Sequence, residues 1–246
     1  NTTPEKYLKK SIKKKIIKFF FNFADEIIVN SIEFKKHFKK IFFISPLVIY
    51  NPFVAKKAKK IKFNFFNDQK ILKIINVSRL TDQKDHLTLI KAVEKLSKIY
   101  NCRLLIIGKG YKEKFLKSYI FDNKLEKYIK LIGYKKNPES YIKLSDVFVL
   151  SSVYEGLPNV LLEALHLKKL IISSDCPTGP KEILKNGKYG YLFKVRDHNE
   201  LCRLLKNYNY KKNKNKYKIN QGYKSLSRFS YNINCKKYFQ LLSKYL

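Results

Sequence analysis

Methionine and tryptophan are both missing from this 246-residue chain. An intact reading frame opens with methionine, and Asn1 is too bulky a second residue for routine removal of an initiator, so the chain is expected to be a fragment whose first residues are not its natural beginning. Cysteine is sparse. Cys102, Cys176, Cys202 and Cys235 form no CxxC pair, and no histidine spacing completes a metal set, which leaves reduced, mostly buried thiols of a cytoplasmic protein. Long apolar runs are absent too. The most apolar early stretch, Ile16 to Ala24, is broken by Lys18 and Asn22 and is far too short to cross a bilayer; Asp25-Glu26 follows it with no cleavage-like site, which excludes a signal peptide. Acidic residues number 19 against 53 lysines and arginines, a formal net charge of +34. Such an excess suggests nucleic acid or an anionic membrane. Arginine is scarce, however, the lysines are spread along the whole chain, and no nucleic-acid module accompanies them, so nucleic acid is set aside and a membrane surface favoured. Abundant Lys, Asn, Ile, Phe and Tyr is also what an AT-rich genome's codons produce.

What is present begins with lysines alternating with apolar residues over 5–23, an amphipathic basic helix that suits either a protein core or a membrane surface. A short strand is expected over 24–31, with Ser31 as N-cap of a helix from Ile32 to Lys40, then a strand from Pro46 to Tyr50 broken by Asn51-Pro52. Residues 56–69 are polar and irregular and are expected to be a linker. A regular α/β alternation follows. Strands are predicted at Leu72–Val77, Arg103–Ile107, Ile129–Ile132, Val147–Leu150, Leu170–Ile172 and Tyr189–Phe193, with helices at Asp85–Lys98, Lys112–Asp122, Pro138–Leu144, Asn159–Leu167, Pro180–Lys185 and His198–Asn207. Short apolar runs alternating with helices imply a Rossmann-like parallel sheet covered on both faces, whose ligands bind at the carboxyl ends of the strands. Tyr210 to Lys218 is low in complexity and is expected to be a solvated loop or frayed helix, and Tyr231 to Leu246 has helical spacing. The domains expected are 1–54, 55–208 and 209–246.

The stretch Ser151 to Leu165 organises the rest. A buried strand runs into a polar turn, and Pro158 and Asn159 open an amphipathic helix, so unpaired backbone N–H groups face a turn where Gly156 has no side chain to keep an anion away. Glu155 lies in that turn and Glu163 inside the helix. A diphosphate on the N–H groups would have carboxylates on either side of it to accept from hydroxyls, the layout a nucleotide-sugar needs. Upstream, Ser78-Arg79-Leu80 and Lys84 bring a guanidinium and an ammonium onto a strand-end loop, a clamp for a diphosphate or else two solvated cations. Gly108 and Gly110 permit a tight turn and a close approach of ligand, and Leu131-Ile132-Gly133-Tyr134 ends the third strand. His86, His166 and His198 stand apart from any serine or cysteine and are assigned to packing or surface.

Glu155-Gly156-Leu157-Pro158-Asn159 through Glu163 resembles the acidic pair of retaining GT-B glycosyltransferases of family four, and Ser-Arg-Leu-(three residues)-Lys resembles their phosphate-binding pair. The resemblance covers residues 24 to about 208. It implies a GT-B C-terminal domain preceded by the end of a second Rossmann-like domain, with residues 1–54 on the acceptor side and a last helix crossing back to it. On that resemblance Glu155 holds donor-sugar hydroxyls, Glu163 the ribose, and Arg79, Lys84 and the backbone of Gly156, Leu157, Pro158 and Asn159 the diphosphate. Gly108 and Gly110 lie near the nucleotide and Gly133 and Tyr134 beside the base, although Tyr134 equally suits a surface aromatic. The loop Ser173 to Leu184 resembles that of members acting on bacterial surface polysaccharides. The implied reaction moves a sugar from a UDP-sugar to a lipid-linked or polysaccharide acceptor with retention, without metal or other cofactor, at the cytoplasmic face of the inner membrane. A 2-epimerase of the same fold fits the acidic pair less well. The competing class is a catalytically incomplete nucleotide-binding fragment or a basic polyanion-binding module.

Overall fold

A computed structural model describes residues 11–68 and 70–246, the first four by backbone alone. Six strands, β3 (Leu72–Val77), β4 (Cys102–Ile107), β5 (Ile129–Leu131), β6 (Val147–Leu150), β7 (Leu170–Ser174) and β8 (Tyr191–Phe193), pair in parallel in the order β5-β4-β3-β6-β7-β8. Strands β6 and β7 are buried at every position, as expected when helices cover both faces. On one face lie α3 (His86–Ser97), α4 (Glu113–Asp122) and α8 (His198–Lys206), delivering Leu89, Leu96, Leu116 and Leu205 to the core. The other face carries α5 (Pro138–Leu144), α6 (Asn159–His166) and α7 (Pro180–Ile183), with Ile142, Leu161, Leu165 and Ile183 packed beneath them. After β3 the chain moves outward through β4 and β5, then returns to lay β6 on the opposite side of β3. That reversal opens a crevice beyond the carboxyl ends of β3 and β6.

A smaller lobe precedes the sheet. It contains α1 (Ser11–Phe21), β1 (Ile28–Val29), α2 (Ile32–Phe42) and β2 (Leu47–Val48), with β1 and β2 parallel and Val29, Phe38 and Phe42 as its core. The expected helix over 5–23 is described from Ser11; residues 5–10 lie outside the described residues. One face of it is packed and another is exposed. Ile17 and Phe21 pack into the lobe, whereas Phe19, Phe20 and Phe23 are exposed. Ser31 caps α2 by accepting from the Phe34 N–H, as expected from the sequence. The two strands expected over 24–31 and 46–50 shrink to a pair of residues each, because only Ile28 with Leu47 and Val29 with Val48 find partners.

Two expectations need correction. Residues 56–69 are not a plain linker: Phe65 and Phe66 form a short 3-10 turn with Asn64 and are buried, and the Arg103 guanidinium sits 5.2 Å from the Phe65 ring while donating to Phe65 O at 3.0 Å. Of the two readings of Tyr210 to Lys218, the solvated loop fails and the helix holds, for Lys212–Lys224 forms α9. Tertiary contacts override the weak composition there. Asn215 donates to Tyr208 O at 2.8 Å and accepts from Tyr191 Oη at 2.9 Å, the Lys218 ammonium donates to Gly187 O and lies 4.7 Å from the Tyr191 ring, and Gly222 fits against Leu165. The final helix, α10 (Tyr231–Leu242), returns to the smaller lobe, where Tyr238 Oη reaches Ile49 O at 3.5 Å. Ile233, Phe239 and Leu242 remain exposed on it. No helix of the described residues is long and apolar enough to cross a membrane.

Candidate functional site

The crevice is stitched together by two strand-end loops. After β3, residues Asp82–Lys84 form a single 3-10 turn; after β6, Ser151 to Glu155 run beside it. Ser151 Oγ donates to Lys84 O at 2.9 Å, the Val153 N–H to Gln83 O at 2.8 Å and Gln83 Nε2 to Tyr154 O at 2.9 Å. These bonds bring the basic loop and the acidic turn into register. Lys84 Nζ then donates to Glu155 Oε1, which also accepts from Ser152 Oγ at 2.6 Å. The two side chains are 12% and 7% exposed, so the ion pair is largely withdrawn from water. Lys84, expected beside a diphosphate, has Glu155 as its counter-charge here. Arg79 is exposed, and none of the described carboxylates pairs with it.

Beneath the loop a buried polar network fixes where β3 ends. Asn76, fully buried in an otherwise apolar strand, donates through Nδ2 to Val149 O at 2.8 Å, which orients its Oδ1 as an acceptor. That oxygen accepts from Ser78 Oγ at 2.8 Å and lies 3.1 Å from His86 Nε2, itself 2.9 Å from Ser78 Oγ. With both neighbours arranged in this way, Nε2 carries the proton and Nδ1 is left bare, buried and without a hydrogen bond. Burial, and secondarily the Lys84 charge, pushes the His86 pKa down to about 4. His86 thus belongs to packing, as expected.

The acidic turn ends at α6, which starts at Asn159 with Pro158 just ahead of it and no side chain capping it. Its first turn follows closely on Gly156, which lines a cavity shared with Asn30, Asn51 and Tyr238. Behind the turn runs the loop after β7. Thr178 Oγ1 donates to Glu155 O, and the Glu155 N–H donates to Pro177 O at 3.4 Å. Gly179, at φ +75, packs so tightly that a Cβ would lie 1.8 Å from Gly156 O. Asp175, in the same loop, pairs with Lys181 at 3.0 Å.

Glu163 lies one turn into α6, half-buried, its carboxylate making no hydrogen bond among the described residues. Burial, and then the neighbouring Glu139 carboxylate, raises its pKa above the ordinary carboxylate range, with Lys56 opposing. Glu139, at the start of α5, is 3% exposed, and its Oε1 is 3.7 Å from Lys56 Nζ. Between β3, β4 and α5 opens a cavity of about 350 Å³ lined by Arg79, Gly108, Lys109, Tyr134 and Pro138 among others. A second, of about 310 Å³, holds Arg79, Gln83, Tyr111, Tyr154 and Arg196. Arg79 stands at the junction of the two.

The glycines at β4's end are also required by the chain itself. A Cβ on Gly108 would lie 1.9 Å from Ser78 O, and one on Gly110 2.2 Å from Leu80 O, so both make room for the chain's own Arg79 loop. Gly133 adopts φ +69 in open space, and Tyr134 is 66% exposed at the cavity rim. Sequence reasoning missed Ser152, Thr178, Glu139, Lys56 and Glu182. Asn76 carried a legible signal, an amide within an apolar strand. Ser152 meets Glu155 three residues on, and the other four act through partners distant in sequence. The four cysteines are free; Cys102 and Cys176 are buried, which pushes each thiol up to about 12.

A family model described as glycosyl transferases group 1 matches residues 56–225. An uncharacterized glycosyltransferase of Methanocaldococcus jannaschii is 36% identical over 224 residues, covering 79% of this chain and 54% of that protein. The Campylobacter jejuni N-acetylgalactosamine-N,N'-diacetylbacillosaminyl-diphospho-undecaprenol 4-alpha-N-acetylgalactosaminyltransferase is 29% identical over 220 residues, covering 83% and 58%. The chain therefore spans about half the length of the curated relatives it matches. Among solved structures, Anabaena HepE in complex with UDP superposes with a TM-score of 0.83 at 18% identity, covering 99% of this chain and 70% of that one. At that identity the likeness carries the fold alone.

Proposed function

The chain belongs to the glycosyl transferases group 1 family, and from that premise we propose that it supplies the donor half of an enzyme moving a sugar from a UDP-sugar to a lipid-linked or polysaccharide acceptor with retention. What supports this reading is that an exposed guanidinium, an uncapped helix N-terminus and two carboxylates all lie on the segments that follow the carboxyl ends of β3 and β6. Arg79 and the first N–H groups of α6 take the diphosphate, where negative charge grows as the anomeric C–O bond breaks. Glu155 turns its second oxygen to sugar hydroxyls while Lys84 and Ser152 hold the first. Lys84 thereby acts one step removed, holding Glu155 in orientation. Glu163 accepts from the ribose, and the cavity at Gly108, Gly133 and Tyr134 receives the base. Positive charge at the leaving group comes from Arg79 and the amides, so no metal is required.

An acceptor hydroxyl attacks the face the diphosphate leaves, its oxygen bonding the anomeric carbon and its proton passing to the departing phosphate oxygen. The Campylobacter relative is named for an undecaprenol-diphosphate acceptor, which supports a lipid-linked acceptor here. Exposed Phe19, Phe20 and Phe23 beside Lys15 and Lys18 support contact with an anionic membrane at its cytoplasmic face. Since the chain spans about half of those relatives, this chain alone is expected to bind donor with little turnover. Calorimetric titration with UDP tests the reading: wild type should bind, and Arg79→Ala and Glu163→Ala should each weaken binding at least about tenfold. Absence of UDP binding together with steeply salt-dependent binding of nucleic acid would replace this account with a polyanion-binding module.

A further inference from the structure

Glu182 lies outside the crevice, yet its carboxylate has more long-range backbone partners than any other in the described residues. Oε1 accepts from the Ile32 N–H at 3.0 Å and Oε2 from the Glu33 N–H at 3.1 Å, and Tyr50 Oη donates to Oε1 at 2.5 Å. The first turn of a helix leaves its N–H groups unpaired, and Ser31 satisfies only that of Phe34. The two remaining leading groups are thus satisfied by a carboxylate some 150 residues away in sequence. Glu33 stands beside it with a second negative charge, an arrangement that favours letting go unless Glu182 is held firmly. It is held. Arg228 donates to Glu182 O at 3.3 Å and Ile183 O at 3.0 Å, and the neighbouring Phe229 ring lies 4.8 Å from that of Tyr50.

In the other direction the same segment reaches the acidic turn. Helix α7 follows directly on the loop whose Thr178 donates to Glu155 O and whose Gly179 packs on Gly156 O. We propose that Glu182 is a positioning residue: it seats α2, and with it the smaller lobe, on the loop that backs Glu155 and Gly156, so that filling the crevice and ordering the first turn of α2 are linked. A cleft of about 340 Å³, lined by Glu33, Lys36, Asp175 and Lys181 among others, lies beside this contact. The linkage rests on the donor-site reading given above, whereas the seating of α2 does not. Reciprocity follows from thermodynamics: whatever UDP does to α2, α2 does to UDP.

Hydrogen exchange followed by mass spectrometry on the peptide covering 31–36 decides the matter, in wild type and Glu182→Gln, without ligand and with saturating UDP. A glutamine keeps the shape but loses the charge and one acceptor, so ligand-free exchange at 31–36 should accelerate at least about tenfold while 159–166 is unchanged. UDP should slow exchange at 31–36 in wild type and leave it unchanged in Glu182→Gln. Equal ligand-free exchange in the two proteins overturns the seating role, and protection by UDP that survives in Glu182→Gln overturns the linkage. UDP that protects neither 151–166 nor 31–36 defeats the donor-site reading and the linkage with it, with the ligand-free comparison still deciding the seating. Tyr50→Phe, which removes one of the three bonds and no charge, should give an intermediate acceleration and serves if Glu182→Gln does not fold.

Discussion

Lys84→Met removes a cation from a pair whose members are 12% and 7% exposed. Methionine fills much of the lysine stem's volume, so packing is nearly conserved and the loss is electrostatic. Glu155 is left ionised with only the Ser152 hydroxyl on Oε1, walled by Thr178 and Pro177. Stranding one partner of a buried pair costs about 3–5 kcal/mol, a large part of a stability of about 5–15 kcal/mol. Glu155→Gln should cost less, about 1–2 kcal/mol, since the lysine stem is flexible enough to carry its ammonium toward the crevice mouth. In the double variant no charge is stranded. It should therefore lie close to Glu155→Gln, giving a coupling about equal to the Lys84→Met cost, about 3–5 kcal/mol, in a double-mutant cycle. Urea unfolding followed by tyrosine fluorescence measures all four proteins, and the chain's 18 tyrosines with no tryptophan make that signal clean. A Lys84→Met cost under about 1 kcal/mol, or a double variant as unstable as the two singles summed, would refute the claim that these residues act as one buried unit. A functional corollary separates the two cations: among folded molecules, Arg79→Ala should weaken UDP more than Lys84→Met does.

His86, held down to about 4 against 6.5 when unfolded, binds its proton more readily in the unfolded chain. Its stabilisation is complete above about pH 6.5 and is lost as pH falls toward 4, about 3 kcal/mol in all; His86→Gln should flatten the slope of urea-unfolding stability over that window. Glu163, raised above the ordinary 4.5, should lose its grip on ribose at a higher pH than a free carboxylate would, and Glu139→Gln should shift that fall in UDP affinity to lower pH in calorimetric titrations. Gly110→Ala places a methyl 2.2 Å from Leu80 O and should cost about 1–3 kcal/mol by thermal unfolding, with UDP binding impaired through the displaced Arg79 loop.

The parts of this molecule that the sequence makes legible are those encoded within about a dozen consecutive residues. Leu72–Val77 and Val147–Leu150 are apolar runs whose ends are fixed by the polar residues beside them, and both strands fall where periodicity puts them. Pro138 and Ser31 mark helix starts for local steric and hydrogen-bonding reasons, and α5 and α2 begin there. Where a residue's fate depends on a distant partner, local reasoning errs in a consistent direction and leaves the residue in solvent. Lys218 and Asn215 look like low-complexity polar sequence, but Tyr191, Gly187 and Tyr208 give them partners and a helix forms. Phe65 and Phe66 look like part of a linker until Arg103 arrives from β4. The candidate site shows the same division. Motif spacing identifies Glu155, Glu163, Arg79 and Lys84, yet which cation faces the crevice and which is consumed internally depends on the two loops being laid side by side by Gln83, Ser151 and Val153. A charge identified by its motif therefore needs its nearest counter-charge before it is given a chemical role. In this crevice the counter-charge to Lys84 is Glu155, whereas Arg79 is exposed and pairs with none of the described carboxylates.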